Sequence, residues 1–417
     1  MISSCWNRIS WQTVSNVVQR TFVRSFRWPL KNQIALNQTR FSTTVGHVSA
    51  IAAGGPNPLS PSTQRLVGRW LLTCCGMTFG AVALGGLTRL TESGLSMTNW
   101  HFWKEFPPLS QKKWEEEFAE YQKSPEFKMK NQNITLEEFK YIWWMEYSHR
   151  MWGRAIGIIF FLPAAYFWSR GYLNKGLKVR AVGFGGLIIA QGLLGWYMVK
   201  SGLEEERFQD AKDVPRVSHY RLASHLGLAF VLYSLLLWSS LDLLKPALRD
   251  GLKQGVATTL KKFRMSAHGT KALIFITAMS GALVAGLDAG LIYDSFPKMA
   301  DRWIPSDMMA LTPALSNFTR NPTTVQFDHR WLGTATLAAI TGLWLASRGK
   351  PLPPKARMAI NALLAMGWMQ VLLGIGTLLH GVPVWMASMH QCGSLLTLSS
   401  AIWLTHEMKW VSRMVPK

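Results

Sequence analysis

Two stretches decide how this chain is built: SHRMWGRAIG, residues 148–157, and DHRWLGTAT, residues 328–336. In each, a histidine is followed by an arginine and then by a glycine four residues after the histidine, at the head of a long apolar run. Further matches follow in the same order. QGLLGWYMVKSG (191–202) is echoed by QVLLGIGTLLHG (370–381), and ASHLG (223–227) by ASMHQCG (387–393). The intervals from His149 to Gln191 and from His329 to Gln370 differ by one residue. A duplicated unit is the simplest source of such order.

Around these anchors the apolar content falls into sustained runs with few charges, and runs of roughly 18 or more apolar residues read as membrane-spanning helices. Eight are expected, at about 70–88, 147–168, 181–199, 221–241, 271–288, 328–346, 358–379 and 387–405. The predicted fold class is all-α, a polytopic membrane protein of eight transmembrane helices arranged as two pseudo-symmetric four-helix bundles. An open sheet is excluded because lipid leaves its strand edges unsatisfied. The halves are expected over 65–244 and 269–408, joined by a basic linker at 245–268, followed by a tail at 409–417 and related as parallel repeats about an axis along the membrane normal.

A formal net charge of +22 fits either nucleic-acid binding or membrane topology. Its distribution chooses the second. Lys and Arg gather after segments two, four, six and eight (Arg170 to Arg180, Lys245 to Arg264, Arg348 to Arg357, Lys409 to Lys417), which share one face. Clusters at Glu115–Glu117, Glu204–Glu206 and Asp294–Asp301 lie on the other face. That is the positive-inside pattern, and no nucleic acid is implied. Before Glu92 the chain has no acidic residue, and residues 1–45 are rich in Arg, Ser and Thr with interleaved aromatics. This composition predicts a mitochondrial transit peptide, with a plastid signal as the weaker alternative. Both mature termini and the basic loops then face the matrix, and the protein resides in the mitochondrial inner membrane.

Four histidines, His149, His225, His329 and His390, open the four segments that enter from the acidic face. One imidazole at a membrane interface is ordinary. Two per half at one depth, with no carboxylate or thiolate to complete a zinc tetrahedron, suit the two axial positions of a haem iron. Copper remains open from the ligands alone. Gly153, Gly157, Gly227 and Gly333 leave room for a macrocycle edge or, equally, for close helix packing. Arg150 and Arg330 follow their histidines and can reach haem propionates or lipid phosphate. His47, His101, His219, His268, His380 and His406 have no repeat partner and are expected to be solvated. Cys74, Cys75 and Cys392 form no CxxC and read as small buried hydrophobes.

The halves differ beside the histidines: Glu146 precedes His149 by three residues, where Gln326 precedes His329. Positions three apart share a helix face, so Glu146 is expected over the same ligand as His149. Its alternative is an interfacial carboxylate balancing Arg150 or Arg89. Arg89 and Glu92 can hold propionates or close a loop over the site, or simply pair with each other. Loop 101–145 reads as a partly helical cap.

With GGLTRLTESGLSMTNW (85–100), EYSHRMWGRAIG, ASHLG, DHRWLGTAT and SMHQCG in this order, the chain resembles the haem A synthase family over about residues 65–410. The resemblance implies oxidation of a methyl substituent of haem O to a formyl group, giving haem A for cytochrome c oxidase. It implies that His149 and His225 face the haem O or haem A iron, that His329 and His390 ligate a haem b, and that Glu146 is catalytic. Arg150, Arg330 and Arg89 are then the cofactor-binding candidates. A di-haem b-type electron carrier and a haem-transfer assembly factor are the competing readings. The partners implied are haem O, a ferredoxin-type electron-transfer protein, the haem O-forming enzyme, oxidase assembly factors and membrane lipid, with self-association left open. If both histidines stay on the iron, water attack with Glu146 as proton acceptor is favoured; if one leaves, oxygen activation is open. The cysteine pair of bacterial relatives is missing between residues 76 and 391, so no redox role is carried over from it.

Overall fold

The structure is a computed structural model describing residues 59–100, 106–204, 216–245 and 254–409. The expected transit peptide, the tail beyond 409, His47 and His101 lie outside the described residues, as do most of the acidic insert after Glu204 and the first part of the basic linker. The described chain is helical: α1 (Pro61–Leu90), α2 (Gln111–Gln122), α3 (Pro125–Met129), α4 (Leu136–Ser169), α5 (Lys175–Gly202), α6 (His219–Leu244), α7 (Gln254–Gly286), α8 (Asn317–Arg320), α9 (Pro322–Ser347), α10 (Pro354–Leu379) and α11 (Val384–Glu407). Eight of these are long, and each carries one of the apolar segments; only the last two residues of 271–288 fall beyond their helix.

Local chemistry sets where the helices begin. Ser60, Asn174 and Asn321 accept from the free N–H groups at the starts of α1, α5 and α9, and Pro61, Pro322 and Pro354 stand where a missing N–H is harmless. Helix α4 starts well before the expected position 147. Thr135 and Glu138 form a reciprocal capping box, which launches the helix outside its apolar stretch. His149 consequently sits well inside its helix rather than in the first turn or two. The linker region is likewise helical from Gln254 and continuous with α7.

Among the described residues, six helices are long and apolar enough to cross a membrane: α1, α4, α5, α6, the part of α7 from Thr259, and α10. Helices α9 and α11 fall short because Asp328, His329 and Arg330 interrupt one and Ser, Thr, His and Gln side chains dilute the other. Packing is cyclic. Helix α1 lies against α4 and α6, while α5 touches both of these; likewise α7 lies against α9 and α11, with α10 touching both. The two rings meet where α6 packs on α7 and α11 packs on α1 and α6. At that seam Gln391 donates to the Val82 carbonyl (2.9 Å), lying where Gly86 has no side chain.

Over the ends of α1 and α4 sits the cap. Trp114, Tyr121, Phe139 and Trp143 are buried together with Met97 and Ile142, so α2 and α3 are held by an aromatic core of their own. The expected partly helical character of loop 101–145 holds for its described part.

Candidate functional site

Each of the four histidines packs against a glycine on another helix of its own ring. An added Cβ at Gly85 would lie 2.9 Å from Cε1 of His149, and the matching values are 3.4 Å for Gly195 and His225, 3.0 Å for Gly281 and His329, and 2.7 Å for Gly374 and His390. Alanine at Gly85 or Gly374 would displace an imidazole. These four glycines, near the ends of α1, α5, α7 and α10, hold the rings at the same end of both bundles as the cap. All four histidines line one continuous cavity of about 1560 Å³. Such a volume exceeds the roughly 300–1,000 Å³ usual for a single small-molecule site.

Within the second pair, the ring centres of His329 and His390 are 6.3 Å apart and the planes nearly perpendicular, at 89°. Metal–imidazole bonds of roughly 2 Å on each side, plus the distance from nitrogen to ring centre, separate two trans rings by about 6–7 Å. The donor set therefore fits one metal between two imidazoles. His149 and His225 line the same cavity from α4 and α6. Among the described residues no three His, Cys, Asp or Glu side chains converge as a metal cage.

The hydrogen bonds behind the rings differ between the halves. His329 Nδ1 is 2.7 Å from the Ser280 hydroxyl, and His390 Nδ1 is 3.1 Å from Nε2 of Gln370, which also donates to the His390 carbonyl. His149 Nδ1 and His225 Nδ1 are shielded from solvent and have no partner. Leu84, the residue before Gly85, stands where Ser280 precedes Gly281 and has no hydroxyl to offer. Gln191 donates to the His225 carbonyl at 3.1 Å but makes no bond to the ring.

Glu146 is buried, 2 % exposed, and lines the cavity. One carboxylate oxygen meets Arg150 Nη2 at 2.6 Å; the other accepts from the Ser96 hydroxyl (2.7 Å) and the Met97 N–H (2.8 Å). Arg150 also donates to the carbonyls of Met97 and Asn99. The pair thus fastens residues 96–99 over the first site, and Trp100 covers the Arg150 guanidinium at 5.3 Å. In the second half Gln326 donates to the Tyr293 carbonyl and accepts from Arg330, which itself binds the carbonyls of Ser295 and Tyr293. Both arginines line the cavity and act as loop clamps.

Arg89 and Glu92 are not partners. Arg89 pairs with Asp288 at 2.7 Å, an aspartate shared with Arg216, whereas Glu92 pairs with Lys130. Arg89 therefore ties the end of α1 to the residues just past α7. Of the glycines expected to give a macrocycle room, Gly153, Gly157 and Gly333 line the cavity with nothing within 4 Å of an added Cβ; Gly227 instead abuts Met279. The expectation of solvated unpaired histidines fails at His406, which is fully buried with Nε2 3.0 Å from Asp242, because the ends of α6 and α11 close over it. His219 and His268 also bury a ring nitrogen. His380 is exposed as expected. Cys74 and Cys75 are buried, and Cys392 is partly so.

Sequence reading missed the four ring-packing glycines and Ser280. Gly195 and Gly374 were visible as the shared Gln-x-Leu-Leu-Gly pattern, but nothing in Leu84 or Ser280 marks them without a contact to compare.

Comparison with known proteins adds a lineage. A profile of the cytochrome oxidase assembly protein family COX15-CtaA matches residues 68–402. The chain is 54% identical over 377 residues to a Homo sapiens protein named heme A synthase COX15, covering 90% of each chain. It is 56% identical over 359 residues to the Bos taurus protein of the same name, covering 86% of this chain and 84% of the relative. A Schizosaccharomyces pombe protein named heme A synthase-mitochondrial ferredoxin fusion protein is 37% identical over 441 residues, covering 97% of this chain and 71% of the fusion.

Proposed function

We infer the activity from the premise that this chain belongs to the COX15-CtaA family: it is a haem A synthase, a multi-pass helical membrane enzyme that makes haem A from haem O. In its finer form the reading is an oxidoreductase that converts a methyl substituent of haem O into a formyl group. That change removes four electrons and adds one oxygen atom. The setting is the mitochondrial inner membrane, with α9 and α11 completing eight spans and the two rings of four related as parallel repeats.

The halves divide the labour. His149 and His225 take the iron of the substrate, and His329 and His390 hold a resident haem b. The single observation carrying this assignment is the difference behind the rings. Ligands whose second nitrogen is hydrogen-bonded are fixed in tautomer and orientation, as a permanent cofactor requires. Imidazoles without such a partner, at His149 and His225, suit a guest that arrives and leaves. Haem b bound in the second half supplies one-electron storage.

Around the substrate, Glu146 is the proton acceptor. Arg150 and the Met97 N–H hold its carboxylate at the cavity wall, which Glu126 and Lys130 of the cap also line. Gln326 cannot accept a proton at the same place in the second half, in keeping with a site that only carries electrons. The electron partner is a ferredoxin-type protein, a proposal supported by the fused arrangement in the fission-yeast relative.

The test is chemical. Purified protein supplied with haem O and a redox partner should yield haem A on extraction. Glu146→Gln should lower the rate by roughly 10²–10⁴-fold, the usual worth of a general base, with second-half haem retained. Haem O recovered unchanged under every redox condition would favour a carrier or a transfer factor instead.

A further inference from the structure

The cavity wall is closed in one half and runs outward in the other. Counting from the paired histidines, Gly157 of α4 corresponds to Leu337 of α9; counting from Gln191 and Gln370, Gly192 of α5 corresponds to Val371 of α10. Leu337 and Val371 line the second site. Beneath them α9 and α10 close on each other, with Ile340 3.0 Å from an added Cβ at Gly367; in the first half the like closure of α4 on α5, Phe161 3.0 Å from an added Cβ at Gly185, lies about one turn deeper. At Gly157 and Gly192 an added Cβ would meet nothing within 4 Å. Past these glycines the first cavity continues along Ile158, Leu162, Ile189 and Leu193, which are 57%, 68%, 55% and 61% exposed. Their counterparts Ala338, Gly342, Trp368 and Leu372 take no part in the cavity. An apolar cleft between α4 and α5 thus leads from the unpartnered rings of His149 and His225 to the lipid-facing surface.

We propose that this cleft holds the long isoprenoid substituent of haem O, and that Gly157 and Gly192 make the first half selective for a haem carrying such a tail. The inference rests on assigning His149 and His225 to the substrate iron. A tail of this kind is apolar along its length, and both the cleft and the bilayer beyond it keep that surface out of water. Leu337 and Val371 fill the equivalent space in the second half, which matches a haem b whose substituents are all short. Because the tail is common to haem O and haem A, one sideways route serves both arrival and departure.

Full-length protein in lipid nanodiscs, titrated separately with haem O and haem b and read by absorbance and by extraction of bound porphyrins, tests the proposal. Gly157→Leu combined with Gly192→Val copies the second half. It should weaken haem O binding at the first site by about tenfold or more while leaving haem b uptake there within about twofold. An unchanged second-half haem spectrum reports that the variant folds. Gly157→Ala with Gly192→Ala, which the protein alone accommodates, should give a smaller loss of the same kind. Undiminished haem O affinity in the Leu/Val variant overturns the tail cleft. Haem O binding that survives His149→Ala and His225→Ala overturns the underlying assignment of the first pair, a separate result.

Discussion

The first-half and second-half sites share a plan and differ in three neighbouring details. Both set two cavity-lining histidines on separate helices of one ring, with each imidazole seated on a glycine. Behind the rings, one half has hydrogen-bond partners and the other has none. Beside the rings, one half has a buried carboxylate and the other an amide. Along the outer wall, one half has glycines and the other has Leu and Val. On the division of labour proposed above, each difference separates a place where a ligand is kept from a place where a ligand is changed. Because the two rings of helices pack alike, each serves as the control for the other.

The largest expected effect breaks the comparison outright. His329→Ala or His390→Ala should abolish the second-half haem spectrum, whereas His149→Ala or His225→Ala should abolish turnover with that spectrum intact. Equal loss of haem in all four variants, measured as pyridine haemochrome per protein, would show that the sites are not separable.

A smaller effect sharpens the contrast behind the rings. Ser280→Leu gives His329 the surroundings of His149, and loss of an outer-shell hydrogen bond of this kind typically costs 10–100-fold in affinity. The variant should therefore release its second-half haem faster to a scavenger protein by a factor of that order. The reciprocal Leu84→Ser should slow release from the first site. A Ser280→Leu variant as retentive as the parent would remove this support for the resident-haem assignment.

The smallest effect concerns the cap, which among the described residues has its aromatic core over the first half. Glu126 is 3 % exposed, hydrogen-bonded to Tyr121 and adjacent to the Lys130–Glu92 pair, and burial raises its carboxyl pKa to about 7. The folded cap then holds a proton that the unfolded segment has released, between the ordinary carboxylate range and about 7. Stability of the cap must therefore fall as pH rises through that window, by at most on the order of 3 kcal/mol. Hydrogen exchange over residues 121–131 at pH 5.5 and pH 8 should show the loss, and Glu126→Gln should flatten it. The same slope in the glutamine variant would place the titration elsewhere.

Much of this architecture was legible beforehand. Long uncharged runs can only be helices in lipid, so all eight segments reappear as helices. The repeat also drew attention to His149, His225, His329 and His390, which all line one cavity, and to the contrast of Glu146 with Gln326. Boundaries read less well. The cap adds a polar, aromatic-cored extension to α4, and a hydropathy window stops at the end of the apolar stretch. His406 was misread because its partner Asp242 lies on a distant helix. Of the alternatives open for Arg89, the pair with nearby Glu92 gave way to Asp288, which is far away in sequence.

From its residues alone, then, the chain determined its helical character and the order of its long apolar segments, because apolar length is a local property. Tertiary structure alone decided which glycine each ring rests on, which rings find a partner behind them, and which pair of helices leaves a gap toward the lipid. Those outcomes depend on how each helix is rotated about its own axis. A helix apolar on every side carries almost no periodic signal for that rotation, so only packing against its neighbours could set it.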